Sequence, residues 1–516
     1  MVKGNLTCSL IVSGCLWLTA ACTSVSEPSE QHPGEALARG HCGSCHRFSE
    51  PALLDQVTWR EDVLPVMGLH LGLLDAPNPT ARQNLQTLLM EGDYPSQPRL
   101  SMTDWEKIKA YYEDTAPEAL DIPSAAPLPL TNRFVEHEVA IKRAAPPAIT
   151  CVRIDTLTHR LYAADAGVQT LFDLDPRGGE LRAIPQQPTI SALTWVGPSR
   201  DLLVTHLGFS VQPRESSEGY VTRLNAATAI GVAAEVVVPQ LPRPTQTLSV
   251  DLVGDATEEL LTCNFGYRTG RLSYWKQEAD GAYQEVVLRN EAGALMVEVR
   301  DLTGSGRNDI VALFAQGDEK LVHYENRGDG QFREQVLLRF PAVYGSTSFE
   351  LHDFNGDGQV DILYTSGDNA DHSMILKPYH GVYLFLNQGD WTFEQAYFFP
   401  MPGAYRAIAR DYDQDGDLDI AAIAFFADYA RQPERGFVYL ENPGNLNFIA
   451  ATRPIHTAGR WITMDANDLD RDGDPDIVLG SYTIGPPFGT ALDTWKDHSG
   501  VLWLENTTVT EPKARR

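Results

Sequence analysis

The chain has 516 residues, with 41 Lys and Arg against 69 Asp and Glu, which gives a formal net charge of −28. This length is enough for two or three domains with a large core. The negative charge argues against nucleic acid as a partner, because phosphate backbones attract basic surfaces. Much of the acidic excess lies in repeated loops, where bound calcium would offset it.

The N-terminus has the features of an export signal. Lys3 precedes a largely apolar run at residues 6–21, which ends in small side chains and is too short to favour a membrane-spanning helix. The run leads into Leu-Thr-Ala-Ala-Cys22, which resembles the lipobox of bacterial lipoproteins; Cys15 is the alternative lipidation site. The resemblance implies a signal peptide at 1–22, a polar tether at 23–33 and a lipid anchor in the periplasm or at the cell surface. A plain cleaved signal would instead release a soluble protein.

A redox motif follows the tether. Cys42-Gly-Ser-Cys45-His46 is the Cys-x-x-Cys-His pattern of covalent haem c attachment. Two thiols one helical turn apart can add to the two vinyl groups of a porphyrin, and the adjacent His can bind the iron axially. A thioredoxin-like dithiol would need a βαβ context, and a zinc site would need a second ligand pair at suitable spacing; the sequence has neither. The motif therefore predicts haem c.

Helical patterns flank the motif. Residues 35–41 can form the entering helix, and Thr103-Asp-Trp-Glu106 predicts a capping box that opens a helix at 105–113. Together with the haem motif, this arrangement resembles a small all-α class I cytochrome c domain over residues 34–117. The resemblance implies electron transfer and a sixth iron ligand.

Met67 is the first candidate for that ligand, because it lies in a stretch bounded by Pro and Gly that can turn its sulfur towards iron. Met90 is the alternative at a spacing from His46 closer to that of small cytochromes. Met102 lies near the last helix, and His70 would give a lower-potential haem with two His ligands. Core packing is the ordinary role of any single Met.

Beyond a Pro-rich linker at 118–131, the chain repeats a unit of about fifty residues. Acidic loops begin at 251, 301, 353, 411 and 468, each joining an apolar strand to the next. Third strands of the complete units end at an Asn, usually within a Glu-Asn pair, and two degenerate units come first, so the total is seven. The stretch 133–140 has the pattern of a fourth strand but precedes every first strand. Seven four-stranded units predict an all-β seven-bladed propeller at 132–508, closed by that stretch, with a C-terminal tail at 509–516.

The acidic loops carry oxygen ligands at positions 1, 3, 5 and 9, with Gly at position 6 in the strongest copies. That pattern suits calcium, whereas an EF-hand would need a Glu at position 12 and flanking helices. An Asp/Gly-rich turn without metal is the alternative. The predicted calcium ligands are Asp353, Asn355, Asp357 and Asp361; Asp411, Asp413, Asp415 and Asp419; and Asp468, Asp470, Asp472 and Asp476. A weaker candidate is the loop with Asp301, Thr303, Ser305 and Asp309, whereas the loop beginning at Asp251 is expected to hold no metal.

This region resembles the FG-GAP/VCBS repeat family, related to the propeller of integrin α subunits. The resemblance implies structural calcium between the first two strands of a blade. The lipobox, haem motif and repeats together resemble bacterial cytochrome-fused VCBS-repeat proteins.

Three functions are compatible with this organisation. The first is an exported haem c electron-transfer protein, whose propeller docks a redox partner or substrate. The second is a periplasmic oxidoreductase with an active site at the mouth of the propeller channel, where Tyr405, Arg406, Arg460, Trp461 and the insertion 368–380 are candidates. The third is a binder of surface glycans or proteins. The mouth residues form no recognisable catalytic constellation, so catalytic residues are not assigned.

Overall fold

A computed structural model describes residues 32–91, 94–123, 126–177, 179–186, 189–197, 199–209, 211, 214–225, 234–370, 374–484 and 493–509. The predicted signal peptide and Cys22 lie outside the described residues. Among those described, no helix is long and apolar enough to cross a membrane.

The first part of the described chain is helical. Its α-helices are α1 (Glu35–Cys42), α2 (Gln56–Thr58), α3 (Leu64–His70), α4 (Pro79–Glu91) and α5 (Met102–Thr115), with a π-helical turn at Trp59–Val63 and a 3₁₀ turn at Pro51–Leu53. Helix α1 contacts α5, and the apolar cluster beneath them includes Ala38, Trp59, Trp105, Ile108 and Tyr112. We call residues 32–117 the helical segment.

The start of α5 differs from the predicted capping box. The capping residue is Ser101, whose backbone is extended and whose hydroxyl accepts a hydrogen bond from the Asp104 amide at 3.1 Å. The same hydroxyl donates to the Asp104 carboxylate at 2.8 Å. The Ser-x-x-Asp pair thus forms the cap, and the helix begins three residues before the predicted start at Trp105.

Among the described residues, twenty-eight strands follow the helical segment. In chain order they are β1 (Phe134–Glu138), β2 (Ile149–Asp155), β3 (Arg160–Asp165), β4 (Thr170–Asp175), β5 (Gly179–Pro185), β6 (Thr189–Val196), β7 (Asp201–Gly208), β8 (Gly219–Leu224), β9 (Glu235–Leu241), β10 (Pro244–Val250), β11 (Glu259–Asn264), β12 (Arg271–Gln277), β13 (Tyr283–Arg289), β14 (Ala294–Arg300), β15 (Asp309–Phe314), β16 (Lys320–Gly328), β17 (Gln331–Arg339), β18 (Ser346–His352), β19 (Asp361–Ser366), β20 (Gly381–Asn387), β21 (Phe393–Pro400), β22 (Ala404–Arg410), β23 (Asp419–Ala424), β24 (Phe437–Glu441), β25 (Ile449–Ala451), β26 (Trp461–Asn467), β27 (Asp476–Ser481) and β28 (Val501–Asn506).

The strands form seven four-stranded antiparallel sheets, so the predicted seven-bladed propeller is confirmed. Blades one to six are consecutive, from β2–β5 to β22–β25. Blade seven has the order β1-β28-β27-β26, with Phe134 opposite Asn506. The displaced N-terminal strand therefore completes the last blade as predicted, and the closed ring leaves no exposed edge between first and last blades.

Burial follows the position of a strand within its blade. Every residue of the second strands β15, β19, β23 and β27 is buried, whereas the outer strands alternate with exposed positions. Continuous apolar sequence at the second strands follows from burial on both faces, because neighbouring blades pack against each sheet. The first strands contact one another around the ring and so lie innermost.

Polar side chains on the first strands join adjacent blades. The Val297 amide donates to the Gln246 side chain at 2.7 Å, and the Leu351 amide donates to Glu298 at 3.0 Å. The Ala409 amide donates to Glu350 and the Ile154 amide to Asp465, both at 2.8 Å. The seams are thus held by hydrogen bonds as well as apolar packing. Cys151 and Cys263 are buried free thiols.

The antiparallel blades give the propeller two distinct faces. Loops between first and second strands, including the acidic loops, lie at what we call the lower face. Loops between second and third strands, and connections from one blade to the next, lie at the opposite, upper face. The helical segment contacts the upper face: Arg47 pairs with Pro341 in a β-bridge, and the Tyr379 hydroxyl donates to the Leu53 carbonyl at 3.1 Å.

The connection between the helical segment and β1 lies against blade six. The Thr452 amide donates to Pro129 at 2.9 Å, Thr131 donates to Thr452 at 3.0 Å, and Leu128 packs on a core cluster of blades five and six. The last residues of the Pro-rich stretch are therefore fixed to the propeller. The predicted domain boundaries stay predictions.

Candidate functional site

The Cys-x-x-Cys-His motif lies at the C-terminal end of α1. Cys42 is the last residue of the helix, and Cys45 and His46 follow in a turn. Both cysteines are free thiols; Cys45 is exposed and Cys42 is partly buried. Burial raises the pKa of Cys42 to about 11, and the hydrogen-bond contact with the Tyr112 side chain opposes this shift. Neither thiol is committed to a disulfide, so both are chemically available for a thioether bond.

The imidazole of His46 is oriented by the backbone carbonyl of the next residue, Arg47. Its Nδ1 lies 2.9 Å from the carbonyl oxygen of Arg47. A hydrogen bond donated from Nδ1 fixes the tautomer in which Nε2 carries the free lone pair. The residues therefore fit a haem that is attached through Cys42 and Cys45 and held axially through Nε2 of His46.

The candidate sixth ligands occupy different environments. Met67 lies in helix α3 and not in the predicted turn, because Pro65 is accommodated in the first helical turn. Its side chain packs on the apolar cluster of the helical segment. Met90 lies in α4, and its side chain is outside the described set. His70, also in α3, is exposed, and Met102 is largely exposed at the start of α5. The choice among these ligands stays a prediction.

Carboxylates converge in two acidic loops of the lower face. In blade six, oxygens of Asp411, Asp413 and Asp415 lie within 4.8 Å of one another, and in blade seven those of Asp468, Asp470 and Asp476 do so. Burial raises the pKa of Asp470 to about 6 and that of Asp476 to about 8, with neighbouring carboxylates contributing. Such a set is unfavourable when fully ionised and suits a hard divalent cation.

In blade seven, two carboxylates of the loop lie beside the convergent three. Asp472 is a predicted ligand outside the convergent set. Asp474, which is not among the predicted ligands, is fully buried and accepts a hydrogen bond from the Val509 amide at 2.7 Å. Burial raises its pKa to about 7. In the sequence, Asp474 directly follows the Gly at position 6 of the loop, and this placement could have marked it as a further acidic residue of the site.

Blade five folds its loop around the first carboxylate. Asp353 accepts hydrogen bonds from the amides of Gly356, Asp357 and Gly358 at 2.8, 3.1 and 2.8 Å. The side-chain amide of Asn355 donates to the Asp357 carboxylate at 3.0 Å. The same oxygen atoms, at positions 1, 3 and 5, could coordinate a cation from this tight turn.

The carboxylate at position 9 has a second role that the ligand pattern did not reveal. Asp361 accepts the amide of Phe354 in its own loop and the amide of Asn387 at the end of the third strand, both at 2.9 Å. Asp476 does the same with Leu469 and Asn506, at 3.0 and 2.8 Å. We call this arrangement the position-9 clasp.

The clasp recurs with small variations. Asp419 accepts from the Asn442 amide at 2.7 Å and from the Tyr439 hydroxyl at 2.6 Å. Asp309 in the weaker blade-four loop accepts from Leu302 and Asn326 at 3.1 and 2.6 Å. Because the clasp is complete in blade four, where the metal pattern is weaker than in blades five to seven, it does not depend on a full set of calcium ligands. The Asn that ends each of these third strands was the sequence signal for it.

Blades three and four differ in their loops. In blade three, the Glu259 carboxylate belongs to no cluster of converging carboxylates among the described residues. It accepts a hydrogen bond from the Leu252 backbone amide at 2.8 Å, as the position-9 carboxylates do in the clasp. In blade four, backbone amides of Gly306 and Ser305 hydrogen-bond to Asp301 and lower the pKa of its carboxyl. Thr303 and Ser305 supply hydroxyls where the stronger loops have carboxylates or amides, so the charge available to a cation is smaller.

The mouth of the channel on the upper face is lined by residues from several blades. Tyr405 packs with Phe425 and Val211 in an apolar cluster that spans blades one, two, six and seven. Burial raises its pKa, with Asp368 contributing and Arg243 opposing. The predicted mouth residue Tyr405 thus lies near charged groups of blades three and five.

The other predicted mouth residues are mainly packed. The Arg460 guanidinium lies 3.7 Å from the centre of the Phe425 ring and donates to the Phe425 carbonyl at 3.1 Å. Burial lowers its pKa to about 10. Trp461 is buried in the blade-seven core, and Arg406 is partly buried on the inner strand β22. The described residues of the mouth show no nucleophile–base pair, and the catalytic assignment stays open.

Comparison with known proteins identifies the repeats. The FG-GAP-like repeat family matches residues 301–364 and 411–479. Human cartilage acidic protein 1 is 27% identical over 222 residues, covering 40% of this chain and 31% of that protein. Integrin alpha-V of Gallus gallus is 26% identical over 208 residues, covering 36% of this chain and 20% of that protein. The WD40 β-propeller domain of Doa1 aligns at a TM-score of 0.43 and 10% identity, over 73% of this chain and all of that one.

The fold and the repeats define a class: a seven-bladed β-propeller with FG-GAP repeats, related in sequence to integrin-α-like propellers. The chain spans no more than about a third of the length of the curated relatives reported above. A propeller of this class suggests a binding or docking module.

Proposed function

We propose that this protein is an exported haem c electron-transfer protein, whose calcium-stabilised propeller docks a redox partner or substrate. The observation that carries the proposal is the haem motif: Cys42 and Cys45 are free thiols at the end of α1, and the Nδ1 contact of His46 leaves Nε2 for iron. Bound haem would supply one-electron Fe(III)/Fe(II) chemistry.

The surrounding residues support a cytochrome-like role for the helical segment. Helices α1 and α5 pack together, and Tyr112 of α5 is buried against the cluster below the motif. The Tyr112 hydroxyl donates to the Ser49 carbonyl at 3.0 Å, which ties the turn after His46 to α5. With haem bound, this apolar and hydrogen-bonded wall would help to hold His46 and to exclude water from the site. In this role Met67 is the proposed sixth ligand, with Met90 as the alternative.

Calcium is the proposed second cofactor. The loops of blades five, six and seven supply its ligands, and the blade-four loop is a weaker site. Oxygen-only donors at these positions match the preference of calcium, and their mutual repulsion without a cation gives binding a stabilising effect on the folded state. The proposed role is structural, because the loops lie on the lower face and the haem motif is in the segment that contacts the upper face.

Covalent haem is tested by expressing the full chain in a host that attaches haem c. Denatured wild-type protein should retain haem absorbance, whereas Cys42→Ala or Cys45→Ala should reduce it and the double variant should abolish it. Cys263→Ala is the matched control, because that thiol is buried in blade three and should not affect haem content. Wild-type protein that loses all haem on denaturation would refute the proposal.

An oxidoreductase with its active site at the channel mouth is the second candidate. It is favoured by the position of the helical segment, which contacts the same face of the propeller as Tyr405 and the 368–380 insertion. A screen of small reductants against purified ferric protein, without partner proteins, tests this candidate. Substrate-dependent haem reduction that Tyr405→Phe impairs would support the enzyme. Rapid electron exchange with another cytochrome, and no such reduction, would support electron transfer alone.

Export and anchoring complete the proposal. The protein is proposed to reach the periplasm or cell surface and to be held at the membrane by a lipid on Cys22. Metabolic labelling with a fatty acid should mark wild-type protein and spare Cys22→Ser, while Cys15→Ser should keep the label. Labelling that persists in Cys22→Ser would overturn this assignment.

A further inference from the structure

The residue that follows the haem motif lies against the propeller. Arg47 comes directly after His46 and forms an isolated parallel β-bridge with Pro341, in the connection between blades four and five. The Arg47 guanidinium also donates a hydrogen bond to the carbonyl oxygen of Arg339, the last residue of β17. Both the backbone and the side chain of Arg47 are therefore held by the propeller.

The same residue orients the proposed axial ligand. Nδ1 of His46 lies 2.9 Å from the carbonyl oxygen of Arg47. His46 follows α1 in a turn, so the backbone hydrogen bonds of the helix do not extend to it. The orientation of its imidazole ring therefore depends on the position of the Arg47 carbonyl, and that position depends on the propeller.

The connection that holds Arg47 is anchored within the propeller. It comprises residues 340–345 and joins β17 to β18. The Gly345 amide donates to the carboxylate of Glu319, which is buried, at 3.0 Å. The Tyr344 amide donates to the Pro341 carbonyl at 3.0 Å, which closes a turn on the bridging residue. A connection fixed by these bonds can support the backbone that lies against it.

A second contact joins this connection to the helical segment. The Tyr379 hydroxyl donates to the Leu53 carbonyl at 3.1 Å and lies 3.3 Å from the Val343 carbonyl. The Tyr379 ring stacks on that of Tyr344, with 4.7 Å between ring centres. Val343 also packs on the apolar cluster beneath α1 and α5. The helical segment and the connection are thus joined through Leu53 as well as through Arg47.

We propose that Arg47 is a positioning residue for His46, the proposed axial ligand of the haem iron. Through Arg339 and Pro341, the propeller holds the Arg47 carbonyl where it accepts the Nδ1 proton. The inference rests on the proposed haem c function. A carbonyl that accepts this proton makes the imidazole a stronger electron donor to a metal at Nε2. Stronger donation favours Fe(III), so a firmly held carbonyl lowers the midpoint potential.

The test measures midpoint potentials of full-length, haem-loaded wild type, Arg47→Ala, Arg47→Lys and Arg60→Ala. Arg47→Ala loses the contact with the Arg339 carbonyl, which should weaken the hydrogen bond from His46. The Fe(III)/Fe(II) ratio at a fixed electrode potential should then fall about tenfold, which equals a rise of about 59 mV in the midpoint potential. Loss of a positive charge alone favours Fe(III) and lowers the potential. The sign of the shift therefore separates positioning from charge.

Three variants serve as controls for this shift. Arg60 is an exposed arginine of the helical segment that pairs with Glu61 at 3.2 Å, so Arg60→Ala is the matched loss of one charge and should not raise the potential. Arg47→Lys keeps the charge and a donor for the Arg339 carbonyl, so it should recover most of the wild-type potential. Pro341→Gly should raise the potential without any change in charge, because glycine loosens the connection.

Proton exchange reports on the hydrogen bond itself. In the reduced, ¹⁵N-labelled protein, the Nδ1 proton of His46 should exchange with solvent about tenfold faster in Arg47→Ala than in wild type. The inference is overturned if Arg47→Ala does not raise the potential above that of Arg60→Ala, or if its exchange rate equals that of wild type. If Arg47→Ala fails to fold, an unchanged potential in Pro341→Gly overturns it. Wild-type protein without covalent haem would instead overturn the proposed function.

Discussion

The position-9 clasp predicts that removing its carboxylate lowers the free energy of unfolding, and that removing calcium does not reproduce this loss. In blade five, Asp361→Ala removes the acceptor for two buried amides, those of Phe354 and Asn387. An unsatisfied buried donor costs about 1–3 kcal/mol, so the variant should lose about 2–6 kcal/mol of unfolding free energy. Asp353→Ala, at position 1 of the same loop, removes a proposed calcium ligand whose partner amides are exposed. Its cost should come mainly from lost calcium binding.

The two variants are separated by denaturant unfolding in calcium and in excess chelator. At calcium a hundred times the dissociation constant, one site contributes about 2.7 kcal/mol. The effect of Asp353→Ala should largely vanish in chelator, whereas that of Asp361→Ala should persist. If the Asp361→Ala penalty vanishes in chelator, position 9 acts only as a ligand and the clasp argument fails. A wild-type protein with the same stability in both buffers would count against calcium in all the loops.

Three further outcomes follow from single contacts. Phe134→Ala should destabilise the ring closure by about 3–5 kcal/mol, because Phe134 is buried against the Tyr412 ring; unchanged thermal unfolding would contradict this. Burial raises the pKa of Glu319 to about 7, so the contribution of Glu319 to stability should be greatest below about pH 4.5 and fall by up to about 3 kcal/mol towards pH 7; relative to wild type, Glu319→Gln should lack that fall. Tyr379→Phe loses the hydrogen bond to Leu53, so limited proteolysis should cleave the helical segment faster while the propeller stays intact; equal rates would argue against this contact as an anchor.

The architecture of the propeller was largely predictable, because its signals are repeated. Each acidic loop marks the turn between first and second strands, and five loops fix the spacing of a blade. The closing strand was visible because residues 133–140 resemble a fourth strand that lacks its own blade. Such features depend on local pattern and chain order alone, which the sequence contains in full.

Features that depend on two distant segments were harder to predict. Asp361 matches a calcium ligand in sequence, and only the fold brings the Asn387 amide, 26 residues away, to its carboxylate. The start of α5 was misplaced because Ser101–Asp104 and Thr103–Glu106 both match a capping pattern, and only backbone geometry selects the first. Pro65 and Gly68 suggested a turn around Met67, but a proline is tolerated in the first turn of a helix.

The two faces of the propeller separate the proposed cofactors. Calcium loops join first to second strands and lie on the lower face, whereas Arg268, Val343 and Tyr379 meet the helical segment on the upper face. Because the second strands are buried and adjacent blades are hydrogen-bonded across their seams, a cation on one face can stabilise the ring without touching the haem. Chelation should therefore lower the unfolding temperature and leave the midpoint potential of the folded protein unchanged. A potential that shifts on chelation before unfolding begins would show that the blades transmit calcium binding to the upper face, and would contradict this separation.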